Sequence, residues 1–556
     1  MANISGGHLV AKYIKEVEKI NTVFALSGGH IKSITDGLVK YGVRAIDVRH
    51  EQAGAMMATA WSIYTGQPGV CIVTAGPGFT NALTGVVNAR FDNIPLVLIA
   101  GRHMVKDDLK GALQEMYQVE MIRPVVKWAA TCYETKRIPE FLATAFAQAI
   151  EGRPGPVFLE LPLDIVGVSV PEEAAPMPTR ATPKFTIHPD DEDLKRAAEI
   201  INAAQKPLFL GGSGVTFSDC EVALKAFLEK TGIPFQLHNY GRGVVPDTHP
   251  LSLMDAGFTG LMLALSQADV IIAAGIRFNW IFQSGQAISP QAKIVRIDIE
   301  PTEINRNRVA AAGLVGDVGS VLNQLSPFVQ KRDHSAWINT LRRAYLAFID
   351  TELKLREKPS DPIHPIRLVE QIQKAMGDNT LFVTDGGDTC YWAIAGFRAT
   401  EKAGMVVGTG GLFGCLGTGI PFAIAAKLAR PDKKVLLLNG DGSFGLNAME
   451  FDTAVRHNIP FVCVVNNDCS WGMVKHDQEL SLGKECLSCV SLPLIHYEKM
   501  VEGLGGYGEF VTKDEEIIPA IQRALKSGKP ACVNVITDPT AVSPASLAFY
   551  VSLKVD

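Results

Sequence analysis

The sequence predicts an α/β protein built from three parallel-sheet domains, and three observations predict it. Short apolar runs of strand length alternate with helical stretches nearly throughout the 556 residues. Two breaks divide this alternation. One is the Pro-, Ala- and Thr-rich segment 171–189; the other is a charged helical stretch, 341–358, followed by the Pro-containing segment 359–365. The length suits three or four domains, and 47% hydrophobic residues suffice for sizeable cores. The expected domains span 1–170, 190–330 and 360–556.

In chain order, Leu9, Val10, Tyr13, Ile14, Val17 and Ile20 recur at helical spacing and predict an amphipathic first helix. Strand-like runs follow at 22–26, 45–48, 70–74, 96–100 and 157–161. The middle domain carries runs at 207–210, 270–274 and 293–297, and the last domain at 381–384, 435–438 and 460–465. No short repeat and no low-complexity tract interrupts the pattern.

The net charge is −5 with both signs mixed, which points away from nucleic acid and anionic membrane surfaces. No basic segment precedes an apolar core at the N-terminus, and no apolar run approaches a membrane span, so a cytoplasmic protein is expected. Ten scattered cysteines suit a reduced compartment, and the lone Cys486-x-x-Cys489 has no second ligand pair.

The most informative segment is Gly440-Asp441-Gly442-Ser443, expected as a turn after the strand run 435–438. A helix is expected over 447–455, then a second strand ending in Asn466-Asn467-Asp468. Such a β-α-β unit brings the ends of two parallel strands side by side. A carboxylate on each loop supplies the hard oxygen ligands that Mg²⁺ takes together with phosphates. Gly-Asp-Gly alone is also an ordinary turn; the second oxygen-rich loop is what argues for a site. In the first domain, Glu51 opens a helix rich in small residues, where a carboxylate also serves as a simple dipole partner. Thr74-Ala75-Gly76-Pro77-Gly78-Phe79-Thr80-Asn81 is a glycine-rich strand-to-helix turn suited to close packing against something flat or anionic.

Together these motifs resemble the thiamine diphosphate (ThDP) enzymes, in the order pyrimidine-binding, middle and diphosphate-binding domain. The likeness covers essentially the whole chain, and its branch is that of acetolactate synthase, benzaldehyde lyase, oxalyl-CoA decarboxylase and 2-hydroxyacyl-CoA lyase. Gly28-Gly29-His30-Ile31 and Ser470-Trp471-Gly472 are similar to benzaldehyde lyase. Gly275-Ile276-Arg277-Phe278 resembles the CoA-linked lyases, and Arg123-Pro124-Val125-Val126-Lys127 the acetolactate synthases.

The resemblance implies roles residue by residue. Asp441 and Asp468, with the Ser470 carbonyl, would hold Mg²⁺. The family more often has Asn at the second position, and counting from Asp441 lands on Asp468 rather than Asn467. Gly440, Gly442, Ser443, Gly386, Gly387, Asp388 and Thr389 would line the diphosphate, and Gly76, Pro77 and Asn81 would also bind the cofactor. Glu51 would hydrogen-bond N1′ of the aminopyrimidine. In Gly414-Cys415-Leu416-Gly417, Leu416 would support the bent cofactor. Trp471, Gly472 and Met473 would line the cofactor, with Trp471 and Met473 also a wall of the substrate pocket, or ordinary core. His30 would move a proton at the substrate hydroxyl, with Gln114 bonding the same group; each is otherwise a structural residue. His50 is a lesser candidate.

The implied activity is Mg²⁺- and ThDP-dependent cleavage or formation of C–C bonds in 2-hydroxy ketones and aldehydes. An acetolactate-synthase-type enzyme acting on 2-oxo acids and a CoA-linked lyase or decarboxylase are the alternatives. From residue 539 onward only Lys554 is basic, which offers little charge for CoA phosphates. A catalytically silent ThDP- or FAD-binding regulatory protein is the reading from another class. FAD or ADP in the middle domain, at Gly211-Gly212-Ser213-Gly214, is possible but not expected. The family shares its cofactor between two chains, so a homodimer or dimer of dimers is implied.

Overall fold

The computed structural model describes residues 2–179, 186–409 and 411–553; side chains at 347–353, 548–549 and 551–553 are not described. Residues 180–185 of the expected linker, and Lys554, lie outside the described residues. Packing divides the chain into two units. The first contains residues 1–185, 411–431 and 447–460, and the second contains 186–410, 432–446 and 461–556.

The first unit is built on a six-stranded parallel sheet. Its order is Arg44–Asp47, Thr22–Leu26, Gly69–Val73, Leu96–Arg102, Pro156–Pro162 and Ala129–Thr131. The central strands are buried on both faces, as their unbroken apolar runs require. Strands outlast the apolar runs that announce them. Leu96–Arg102 continues because Gly101 and Arg102 still pair with Leu161 and Pro162. The helix Glu51–Thr65 lies against Pro77–Asp92, and small residues permit that approach: a side chain at Gly85 would meet Ala55 Cβ at 2.7 Å. Helix Gly419–Ala429 also packs on Glu51–Thr65.

The first helix differs from expectation. It is α-helical over Gly6–Lys12 and widens to a π-turn over Tyr13–Val17, with Ile20 beyond its end. All six apolar residues are nonetheless buried.

The second unit holds two parallel sheets. One runs Phe235–Leu237, Pro207–Gly211, Val270–Ala274, Lys293–Asp298 and Ala312–Val315. The other runs Met405–Val407, Thr380–Asp385, Lys434–Gly440, Val462–Asn467, Ala531–Ile536 and Tyr507–Val511. Ala531–Ile536 is a central strand that the hydrophobic pattern does not announce, because Asn534 interrupts it. That Asn is fully buried; it accepts from Asn467 Nδ2 at 3.0 Å and donates to Glu498 Oε2 at 2.9 Å. Arg242 ties the two sheets: it pairs with Asp247 and donates to the Phe397 carbonyl at 2.8 Å.

The segment around Asp441 also differs from expectation. No loop separates strand from helix. Strand Lys434–Gly440 passes directly into helix Asp441–Asn447, which breaks at Ala448–Met449 and resumes as Glu450–Arg456. Among the described residues no helix is long and apolar enough to cross a membrane.

Candidate active site

In the second unit, parallel pairing aligns the ends of Thr380–Asp385, Lys434–Gly440 and Val462–Asn467. Three candidate segments are thereby brought together: 386–389, 440–443 and 466–473. Asn466 Nδ2 donates to Thr389 Oγ1 at 3.0 Å, and a Cβ built at Gly440 would sit 3.2 Å from the same oxygen. Trp471 packs on the first turn of helix Asp441–Asn447, where Gly442 leaves room; a Cβ there would meet its ring at 2.7 Å. Gly387 likewise leaves room for Met473. The Met473 carbonyl accepts from Tyr550 Oη at 2.6 Å. Gly472 closes against Asp468 Oδ2.

Asp441 and Asp468 are both buried and share one donor. The Ser470 N–H lies 3.2 Å from Asp441 Oδ2 and 3.1 Å from Asp468 Oδ1. Burial, and then the neighbouring Asp468, push the Asp441 carboxyl up to about 8. Burial also raises Asp468. Two buried carboxylates side by side are costly unless a cation joins them. Their hard oxygens, two carboxyl groups side by side in one buried pocket, fit a divalent ion such as Mg²⁺. Asn467 is committed elsewhere: its Nδ2 donates to Asn534 and its Oδ1 accepts from Cys469 N at 3.1 Å.

Asp388 stands apart from these loops in its bonding. Its carboxylate faces His476 Nδ1 at 3.0 Å and accepts from Ser546 Oγ, so it anchors the C-terminal segment. Ser443 Oγ returns to the Gly440 carbonyl at 3.1 Å.

The first unit holds the other candidates. Glu51 is 6% exposed, and Asn81 Nδ2 donates to its Oε2 at 3.0 Å. Gly76 adopts φ +60° and lies under Gln114, whose Cβ would be 2.8 Å from any Cβ at Gly76. Pro77 opens the helix as its first residue, where its missing N–H costs nothing. His30 sits in a short 3₁₀ turn after strand Thr22–Leu26, with Nδ1 3.3 Å from Thr74 Oγ1. Its ring also bonds the Leu113 backbone, one residue before Gln114. Burial, and then the nearby His103, hold its pKa below the usual histidine value. Gln114 Oε1 is buried without a partner. His50 instead caps the Glu51 helix, its Nδ1 accepting from Gln52 N at 3.1 Å. Gly414 is exposed and Leu416 half-buried, and both belong to the first unit.

Several residues escaped sequence reasoning. His103, Asp108 and Glu115 bring ligand-type atoms within 4.8 Å of one another. Here they close the loop that carries Gln114. Asp108 accepts from His103 (2.6 Å) and Arg102 (2.7 Å), and Glu115 accepts from Gly111 N (2.9 Å) and Ala112 N (3.0 Å). Gln118 accepts from Gly76 N at 2.9 Å and donates to the buried Glu160 at 2.8 Å. No local signal marks these pairs: those of Gln118 join residues 42 apart in sequence. In the second unit, a cavity of about 250 Å³ is lined by His238, Trp280, Phe282, Tyr391 and Trp392, among others. The glycine run considered for a nucleotide packs against backbone: a Cβ at Gly214 would lie 2.6 Å from Gly275 Cα.

Three family models match the chain in order. They are the thiamine pyrophosphate enzyme N-terminal TPP binding domain over 4–121, the central domain over 194–325 and the C-terminal TPP binding domain over 385–535. The chain belongs to the thiamine pyrophosphate enzyme family. It is 35% identical over 539 residues to a probable acetolactate synthase of Mycobacterium bovis, covering 97% of this chain and 96% of that protein. It is 32% identical to 2-hydroxyacyl-CoA lyase 2 of Bos taurus, covering 98% and 92%. It is also 32% identical to a probable acetolactate synthase large subunit of Methanococcus aeolicus, covering 95% and 91%. This thiamine pyrophosphate enzyme is therefore a C–C carboligase or lyase of the acetolactate synthase and 2-hydroxyacyl-CoA lyase branch.

Proposed function

We propose that this enzyme cleaves and forms C–C bonds in 2-hydroxy ketones and aldehydes, with ThDP and Mg²⁺, in the manner of benzaldehyde lyase. The observation that carries this reading is His30, a buried and neutral imidazole on the same loop cluster as Gln114. Cleaving an acyloin requires the hydroxyl proton to leave, and a neutral imidazole accepts it. Gln114 would hold that hydroxyl through its side-chain amide. Asp441, Asp468 and the Ser470 carbonyl would hold Mg²⁺ against the diphosphate, and the 386–389 turn and Gly440–Ser443 segment would surround the phosphates. Glu51, held by Asn81, would bond the aminopyrimidine. The cofactor, when bound, supplies a ring carbon that adds to carbonyls and holds the electron pair left by C–C cleavage.

An acetolactate-synthase-type reaction on 2-oxo acids is the second reading, and the likeness to the mycobacterial protein favours it. One experiment separates them. The protein is incubated with ThDP and Mg²⁺ against pyruvate, benzoin, aliphatic acyloins, simple aldehydes and acyl-CoA substrates, and products are read by mass spectrometry. Acyloin cleavage is expected; turnover of pyruvate alone would overturn the lyase reading, and cleavage confined to acyl-CoA substrates would move it to the CoA-linked enzymes. The proposed assembly is a homodimer or dimer of dimers. Leu109, Leu113 and Tyr117 stand exposed on the segment that carries Gln114, as an interface would require. A fully active monomer in sedimentation would refute it.

A further inference from the structure

Glu51 owes its place to the backbone that precedes it, and that backbone is held by a residue far away in sequence. Strand Arg44–Asp47 ends three residues before helix Glu51–Thr65 begins. The N–H groups of Arg49 and His50 point away from any sheet partner. Glu450, at the start of helix Glu450–Arg456, accepts from both: Oε1 lies 3.0 Å from Arg49 N and 3.1 Å from His50 N. Its other oxygen accepts from Thr453 Oγ1 at 2.6 Å. Glu450 is 1% exposed. The rim of the same contact is ionic, with Arg456 and His457 both bonding Asp47.

A buried carboxylate is a costly way to satisfy two amides, and burial pushes this one up to about 7. A water or a serine would close the same amides at lower cost. What the Glu450 side chain adds is one acceptor oxygen on a rigid planar group that takes both amides at once. These two bonds fix the two peptide units immediately before Glu51, and thus the direction in which the first helical turn presents that side chain. Displacement of about 1 Å in a reacting group suffices to cost a large factor in rate.

We infer that Glu450 is a positioning residue for Glu51, clamping the Arg49–His50 backbone so that the Glu51 carboxyl is presented in register for the aminopyrimidine. This rests on the reading of Glu51 given above. The clamp joins distant parts of the sequence within the first unit: helix Glu450–Arg456 holds backbone 400 residues earlier, directly before Glu51.

The test uses the full chain. In apo-protein, Glu450→Ala should speed amide exchange at Arg49 and His50 by about fivefold or more, the scale of one lost hydrogen bond. In enzyme loaded with ThDP and Mg²⁺, the same variant should lose about tenfold in kcat, while ThDP affinity, read by tryptophan fluorescence, stays within about twofold. Glu450→Gln keeps an acceptor oxygen of the same reach and should recover most of the rate. Arg456→Ala, which loosens only the rim, should cost far less. Unchanged exchange at Arg49 and His50 would overturn the clamp. An equal kcat loss in Arg456→Ala would reduce Glu450 to general stability. If Glu450→Ala does not fold, Glu450→Asp takes its place with the same readouts. Exchange judges the clamp alone, whereas normal turnover in Glu51→Gln would overturn only the Glu51 reading.

Discussion

Glu51 and Asp441 are both buried carboxylates in the first turn of a helix that follows a parallel strand, yet their surroundings are opposite. Glu51 has a neutral donor, Asn81, and a turn held from behind by Glu450. Asp441 has two backbone donors, Gly442 N and Ser470 N, and a second carboxylate, Asp468, against it. A helix N-terminus readily accommodates one negative charge. Two carboxyl groups side by side in one buried pocket exceed what backbone dipoles supply, and a divalent cation is the simplest remedy. The difference matches the proposed roles, a proton-handling Glu51 and a metal-holding Asp441 and Asp468.

Four experiments sharpen or break that comparison. The largest effect is expected for Glu51→Gln. It keeps size and loses the ionisable carboxyl, so kcat should fall by about 10² or more while ThDP still binds, as checked by steady-state kinetics and fluorescence titration. Loss of binding with normal turnover at saturation would reverse the assignment of the two halves. Next, His30→Ala should cut acyloin cleavage and ligation by about 10²-fold and 2-oxo acid decarboxylation much less, since CO₂ leaves without a hydroxyl proton transfer. Both rates are measured in one variant, with circular dichroism as the folding control; equal losses would make His30 structural.

Asp468→Ala should weaken Mg²⁺ and ThDP together, by about 10–100-fold by calorimetry, while costing the metal-free protein little stability, because it removes the cost of burying a second carboxyl group. Asn467→Ala should behave the other way. It abandons a buried bond to Asn534, so it should lower stability by about 1–3 kcal/mol and leave metal affinity near normal. The reverse ranking would show that the ligand is Asn467.

The smallest effect is a pH dependence. A carboxyl raised by the fold favours the native state while protonated, and that contribution is lost as pH climbs from about 4 toward its folded value. For Asp441 that value is about 8. Metal-free protein should therefore lose stability across this window, and Mg²⁺ should restore it increasingly. The expected gain in thermal midpoint is about 2–4 °C per kcal/mol at the upper end and close to none near pH 5. A gain independent of pH would mean that the pair does not carry the metal.

The architecture and most site segments are legible in the chain itself. Apolar runs of strand length mark the buried parallel strands, because a strand covered on both faces must be apolar throughout. Glu51, Gly76 and Asp441 stand at strand ends as their local patterns require, since strand-to-helix junctions are written in neighbouring residues. Short edge strands such as Ala129–Thr131 and Met405–Val407 carry too little pattern to announce themselves, and the central strand Ala531–Ile536 is masked by Asn534. The helix beginning at Asp441 rather than at residue 447 was hidden because Gly442 and Gly445 have low helix propensity, which packing overrides.

The sequence by itself therefore determined the α/β class, the order of its parts and the carboxylates available for chemistry. Those depend on local periodicity and on residue type. Tertiary structure alone decided how each of these polar side chains is used. Asp388 turns to His476 and the C-terminal serines, Asn467 to Asn534, and Glu450 to backbone four hundred residues away in sequence. A buried polar group must find its partner wherever the fold brings one within about 3 Å, and no local pattern encodes which distant segment that is.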